Sequence, residues 1–579
     1  MESKNCLLKP VLVTILCFLF CPAKDAHPSP GPLQIETIYL ENILPSRYRY
    51  YTQEPLGRIR IRNTGKETLH RIRVRLFIPN YMDLPEEYEI AQIGAKSTVE
   101  IPLKATFNPR IFDVDEDTPG QVQIRISGDG IEESCIRSIT ILSRNTIDWR
   151  RSENIASFVT PNDSVIAEFT KLCIPFPSLK DEGLGPKESR LEDAMAIYAA
   201  LSPIAYLPDP NMPYKKVAEE KVVLDKVQYP RETLKYKKGD CDDLSVLYAS
   251  CLEAVGIRSA FVLVPGHIFI IFNTGISYRN RELIGYDETS YIVRNAYIWL
   301  PVETTRRDNS FVAATKEGMA EYKRWLSKIE IIDVQKGWER FAPVALPPVD
   351  FPWKEDKELA EEKLKEEIAT LKAYKKEGLN LLVTTLSKRI EEFPYNLGFR
   401  NRLGIIYGKE GELDLAEREF KSGLEKNKLH PSLLNNLGNI HLLRDSPTEA
   451  IHFFKQANRS DPDDGGIYFN LGLAFFLKDE MKSALEMLGE CLKSFGTIEE
   501  AAYTLGFPAE EIAISLTGKP RISKEEIKKL LEDAVAKIPK GEEAGKRAKK
   551  IFTLVATAGA RGAEISNKTD LRWLIYWKE

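Results

Sequence analysis

Lys238-Gly239-Asp240-Cys241-Asp242-Asp243-Leu244-Ser245 leads from a turn into an apolar helix, and its reading decides the fold of the middle of the chain. Gly239 or Asp240 suits a helix start, and Asp242 and Asp243 suit a first turn, where acidic side chains complement unpaired backbone N–H groups. Leu244, Leu247, Tyr248, Cys251, Leu252 and Val255 then mark an apolar face, which Gly256 ends. A cysteine in such a first turn meets N–H groups that favour the thiolate and can serve an oxyanion. The neighbouring carboxylates oppose the thiolate, so a paired imidazolium is needed to win that contest.

Two residues downstream supply the remaining parts of an activated thiol. His267 follows Cys241 by 26 residues, after Pro265-Gly266, and opens the apolar run His267 to Phe272. Glu303 follows His267 by 36 residues, at the end of Trp299-Leu300-Pro301-Val302-Glu303-Thr304-Thr305. The thiolate attacks, the imidazole takes and returns the proton, and the carboxylate holds the imidazole's tautomer. The competing reading is a packed core thiol and a satisfied structural histidine. His267 is the only histidine between His70 and His430, which weakens that alternative.

Around this region the pattern changes twice. From Leu33 to Leu142 short runs such as Arg58-Ile59-Arg60-Ile61-Arg62 and His70 to Leu76 alternate charged and apolar residues, the period of a half-buried strand. Their spacing predicts an all-β sandwich of immunoglobulin-like type over 33–145, with the arginines on a solvated face. Residues 146–345 mix helix candidates (Leu191 to Leu201, the Cys241 helix) with β-runs (Ala260 to Val264, His267 to Phe272, Tyr297 to Val302), an α+β organisation. A Pro-rich linker and a charged helix occupy 346–377.

Beyond it the chain repeats itself. Leu403-Gly404, Leu437-Gly438 and Leu471-Gly472 recur every 34 residues, with Ala416, Ala450 and Ala484 in step. Tyr407, His441 and Phe475 share another position. This is the tetratricopeptide pattern, and it predicts an all-α solenoid over 378–498, with clear repeats at 397–430, 431–464 and 465–498. Residues 499–579 read as a helical cap, with Trp573, Tyr576 and Trp577 at helical spacing for packing.

With the residues in view, Gly239 to Ser245, Glu253-Ala254-Val255-Gly256-Ile257, His267 and Trp299 to Thr305 resemble the transglutaminase-like superfamily, a branch of the papain-like thiol fold, over about residues 185–310. The resemblance implies Cys241 as nucleophile, His267 as base and Glu303 as orienting carboxylate. The family more often has aspartate in an Asp-Pro-Thr-like run, so Asp287 is the reserve for the third role. It also implies an acyl-thioester resolved by water, as in a cysteine peptidase or amidase, or by an amine, as in a cross-linking transglutaminase. A retired, protein-binding scaffold is the third reading.

Composition bounds the rest. Across 579 residues, 81 Lys plus Arg against 85 Asp plus Glu leave a net charge of −4, which offers nucleic acid no general attraction. Lys4, Lys9 and the apolar run Val11 to Cys21 read as a signal peptide over 1–26, too short to span a bilayer, so export to a periplasmic or extracellular space without stable membrane insertion is expected. Of eight cysteines, the five outside this leader are scattered, which supports neither a disulfide framework nor a metal site, and no cofactor is expected. The expected partners are a peptide or protein substrate and a protein bound by the repeats.

Overall fold

A computed structural model describes residues 31–128, 130–174, 189–208, 224–285, 289–306, 310–349, 357–494, 571–573 and 575–579. The expected signal peptide, the reserve residue Asp287 and most of the expected helical cap lie outside these. The chain is multidomain: it divides into two compact units, 1–144 and 145–579.

The first unit is β-rich. Strands β1 (Leu33–Leu40), β2 (Gly57–Asn63) and β5 (Thr98–Leu103) form one antiparallel sheet, ordered β1-β2-β5. Strands β3 (Leu69–Phe77), β4 (Glu86–Ile93), β6 (Thr118–Gly128) and β7 (Ile131–Ile141) form a second, ordered β4-β3-β6-β7. The alternation seen in the sequence sorts side chains by face. Ile59, Ile61, Ile72, Val74 and Leu76 are fully buried. The arginines between them lie outside and pair across strands, Arg60 with Glu100 at 2.9 Å, Arg62 with Glu36 at 3.2 Å and Arg75 with Glu87 at 2.9 Å. Such exposed pairs contribute little stability and account for the charged face without a ligand.

The second unit begins as a mixed α/β region and ends in helices. Two short pairings, β8 (Thr146–Asp148) with β10 (Leu224–Lys226) and β9 (Ala205–Tyr206) with β11 (Lys238–Gly239), flank the central elements. The main sheet contains β12 (Ser259–Val264), β13 (His267–Ser277), β14 (Ile292–Arg294), β15 (Tyr297–Val302) and β16 (Glu330–Asp333) in the order β14-β15-β13-β12-β16, with every neighbour antiparallel. β12 and β15 are buried along their whole length, so their continuous apolar runs replace alternation. The helix Cys241–Ala254 packs on β12 and β13. Its buried residues run from Asp242 to Glu253 without a break, so the single apolar face read from the sequence is widened by burial of the polar side as well.

The charged helix does not stop near residue 377. It runs from Lys357 to Glu392 as one element. Its first half buries Ala360, Leu364, Ile368 and Leu371. Its second half packs Leu386 and Ile390 against Leu403 and Ile406 of the next helix. Three helix pairs follow: Leu397–Glu410 with Leu413–Lys426, Pro431–Leu443 with Pro447–Ser460, and Gly465–Leu477 with Met481–Ser494. The repeated glycine has a steric cause. A Cβ on Gly438 would sit 2.6 Å from the Phe454 ring, so only glycine lets the two helices of that pair meet this closely.

The expected helix through Trp573, Tyr576 and Trp577 is corrected by the structure. Leu571–Trp573 is one 3-10 turn and residues 575–579 have no regular structure. Their backbone groups take partners from asparagine side chains of the helix pairs, which removes the need for internal helical bonds.

Candidate functional site

Local capping sets the position of Cys241. Asp240 is the N-cap and accepts from the Asp243 N–H at 3.2 Å, while Asp243 reaches back to the Asp240 N–H at 3.3 Å. This reciprocal box starts the helix at Cys241 and so places the thiol in its first turn. Asp243 also accepts from the Gln228 N–H at 2.7 Å and from Gln228 Nε2 at 2.5 Å. Asp240, Asp242 and Asp243 bring oxygens within 4.8 Å of one another, and capping explains that grouping. Burial and the charge of Asp240 raise the Asp242 carboxyl well above the usual carboxylate range and push Asp243 up to about 7.

His267 is the first residue of β13, placed there by Gly266, whose φ of +80° turns the chain out of β12. In the β13–β15 register Ile270 faces Val302, and one further step sets Glu303 opposite Phe269, on the same face as His267. The structure brings the two side chains together, with His267 Nε2 2.6 Å from Glu303 Oε2. The other carboxylate oxygen accepts from the Thr305 N–H at 2.9 Å and from Thr305 Oγ1 at 2.6 Å. Burial opposes charge on both partners. The hydrogen bond and opposite charge nevertheless win, raising His267 above its ordinary value and holding Glu303 below its own. An ionised carboxylate only accepts, so Nε2 carries the proton of this bond and Nδ1 is the ring atom left for exchange.

Cys241 meets the start of β13. Its sulfur receives the backbone N–H of Ile268, the residue after His267, and that of Asp242. Both favour the thiolate. Burial, then the charges of Asp240 and Glu303, outweigh them and push the thiol up, so the resting group is a neutral thiol. The opposition of the neighbouring carboxylates, expected from the sequence, is therefore real, with burial the larger part. Cys251, on the same helix, is fully buried, and the described cysteines are all free of disulfides.

Three residues at the site were missed by sequence reasoning. Ser245, one turn after Cys241, has its hydroxyl 2.9 Å from that of Thr304 and 3.5 Å from the Ile268 carbonyl, so it ties the helix to both strand ends. Replacing it with alanine strands a fully buried Thr304 hydroxyl. A loss of roughly 1–3 kcal/mol in denaturant unfolding is expected, and an unchanged midpoint would contradict this role. Tyr206, on β9, is 40% exposed beside the thiol. Burial, with the charges of Asp240 and Glu303 beside it, raises its phenol, which keeps it a hydrogen-bond donor. No local signal marks Tyr206, because a two-residue strand beside Pro208 reads as loop. Ser245 and Thr304 lie inside the quoted motifs, but only their i+4 and i+1 spacing from Cys241 and Glu303 hints at a role.

No family model matches the chain, and no curated protein does. Among solved structures, trypsin-activated alpha-2-macroglobulin from Escherichia coli is similar at a TM-score of 0.13 and 12% identity, over 91% of this chain and 29% of that one. The chain thus spans less than a third of that protein's length, and the likeness carries no argument.

Proposed function

We propose that this chain is an exported thiol enzyme of transglutaminase-like type, a cysteine peptidase or amidase acting on peptide or amide bonds. The observation that carries the reading is the His267–Glu303 bond at 2.6 Å, at the strand ends whose Ile268 N–H meets the Cys241 sulfur. In this reading His267 Nδ1 takes the thiol proton as sulfur attacks the carbonyl, then returns it to the leaving amine. The Cys241 acyl-thioester is then resolved by water, or by an amine if the protein cross-links. The antiparallel main sheet behind a buried helix supports the papain-like assignment. The two antiparallel sheets of the first unit support an immunoglobulin-like sandwich, and the 34-residue helix pairs support a tetratricopeptide solenoid that binds protein. Export rests on the apolar run Val11 to Cys21; among the described residues no helix is long and apolar enough to cross a membrane.

One observation favours a second reading, a protein-binding scaffold with an inert thiol: the neutral state that burial and Asp240 impose on Cys241. Alkylation by iodoacetamide from pH 5 to 9 separates the two. A working pair makes the Cys241 rate rise as His267 loses its proton, along a limb centred above 6.5 because its proton is held more tightly than usual. His267→Ala should abolish that limb. If Cys241 reacts no faster than Cys251 near pH 8, and His267→Ala changes nothing, the enzyme reading fails. For a reactive thiol, peptide cleavage in water against incorporation of a primary amine decides between hydrolysis and transfer.

A further inference from the structure

The first helix of each pair carries buried asparagines that link into a ladder, Asn436 donating to Asn401 at 2.8 Å and Asn470 to Asn435 and Asn439 at 3.0 Å each. Asn401, Asn435, Asn436, Asn439 and Asn470 are at most 2% exposed. Two of the intervals are the repeat length, from Asn401 to Asn435 and from Asn436 to Asn470, so neighbouring helices share an amide at a matching place. Burying five side-chain amides is costly unless each finds partners. Beyond one another, their partners are the main-chain groups of Tyr576 and Lys578. The Tyr576 carbonyl accepts from Asn435 at 3.0 Å, Asn439 at 2.9 Å and Asn470 at 2.7 Å, and the Tyr576 N–H donates to Asn470 Oδ1 at 2.8 Å. Two residues on, the Lys578 carbonyl accepts from Asn401 and Asn436, each at 2.8 Å, and its N–H donates to Asn436 Oδ1 at 2.9 Å. Bonding alternate residues through both N–H and carbonyl is how a protein reads an extended peptide regardless of sequence.

Side-chain contacts add selectivity. The Trp577 ring lies where a Cβ on Gly408 would stand, near Phe420 at a ring-centre distance of 6.4 Å, and Trp577 is 3% exposed. Lys578 Nζ bonds Asp464 and lies 2.9 Å from Asp461 Oδ2. Glu579 meets Arg402 at 2.7 Å and Arg281 at 2.6 Å. Those two arginines belong to a cluster in which Arg281, Arg402 and Lys409 surround one carboxylate, Glu282. The cluster carries surplus positive charge, and Glu579 supplies an anion to it.

We propose that the first helices of the array form a groove for an extended peptide of the pattern aromatic-Trp-Lys-Glu, held in the chain's own residues Tyr576–Glu579 as a resident, exchangeable ligand. This gives the protein-binding face of the proposed function an occupant. It rests on the array's geometry alone and stands whether or not Cys241 is a nucleophile, because its test reads peptide binding and the alkylation test reads the thiol.

The probe is a fluorescein-labelled peptide with the sequence of residues 571–579, followed by fluorescence anisotropy against the full chain. Wild type, its groove filled, should bind it at least tenfold more weakly than the full-length variant Tyr576→Ala/Trp577→Ala, whose own segment is weakened. The same peptide carrying Lys578→Glu should bind that variant at least tenfold more weakly than the unaltered peptide. Equal binding of peptide by wild type and variant, or indifference to Lys578→Glu, overturns the proposal. A second measurement needs no substitution. In wild type the Tyr576 and Lys578 amides should exchange hydrogen at least a hundredfold slower than in the free peptide, and excess unlabelled peptide, isotopically distinct, should speed their exchange. Unprotected amides, or protection that excess peptide leaves unchanged, show a groove without a resident ligand or a fixed part of the core, and either result sinks the idea.

Discussion

Glu303→Gln should lower turnover of an activated acyl substrate, such as a p-nitrophenyl ester, by about 10³–10⁴-fold while leaving the fold intact. The size follows from a tautomer. Thr305 donates to Glu303 Oε1 through both its N–H and its hydroxyl. In the variant those two donors select the amide oxygen, which turns the NH₂ toward His267. An NH₂ group donates, so Nε2 must give up its proton and Nδ1 must carry one. The nitrogen that should accept the thiol proton is then already occupied. Loss of the negative charge also removes what raises His267, so what is left of the Cys241 alkylation limb should be smaller and lie at lower pH. A scaffold with an inert thiol predicts neither change. Near-wild-type turnover with an unmoved limb would show that Glu303 only packs against the ring.

Glu282→Ala is expected to cost about 3–5 kcal/mol of stability, measured by denaturant unfolding of the full chain. Glu282 lies in the 3-10 segment Tyr278–Ile284 that follows β13. Its carboxylate is 2.7 Å from Lys409 Nζ and 2.9 Å from Arg402 Nη2, and Lys409 Nζ also donates to the Arg279 carbonyl at 2.6 Å. Lys409 is 2% exposed, so removing Glu282 takes a counter-charge away from a buried ammonium. Lys409→Met in the same chain should recover much of the loss, because the uncompensated charge goes with it. A double variant no better than Glu282→Ala would refute the electrostatic account.

The same cluster predicts an acid response. Burial opposes ionisation of Glu282, but Lys409, Arg402 and Arg281 together hold its carboxyl down to about 2. Lys409 has one carboxylate and two neighbouring cations, so burial prevails and takes it down to about 8. A carboxyl depressed in the folded state contributes stability that is full above its ordinary value of 4.5 and is lost as pH falls toward 2. Unfolding midpoints should therefore drop between those values in wild type, and drop less in the Glu282→Ala/Lys409→Met chain.

Local chemistry was legible in the sequence wherever a structure depends on neighbours along the chain. The helix start at Gly239 or Asp240, the turn at Gly266, the strand alternation in 33–145 and the 34-residue helix period are of this kind, since capping, φ > 0 and side-chain period act over a few residues. The long helix Lys357–Glu392 was cut short in the sequence reading because its two halves pack on different partners, which composition cannot show. The extended course of residues 575–579 was missed for a related reason: aromatic spacing alone cannot reveal that distant asparagines satisfy a backbone.

At the site the division runs through individual atoms. The order Cys241, His267, Glu303 and the acidic setting of the thiol belong to the sequence by itself. The tertiary structure alone decided that Nε2 rather than Nδ1 meets Glu303, that Thr305 fixes the other carboxylate oxygen, that Ser245 and Thr304 lock helix to strand, and that Tyr206 stands beside the sulfur. It also decided the state of the thiol. A sequence can show which charges are near Cys241, but the energy of a charge depends on how far water is excluded from it, and that is a property of the packed chain.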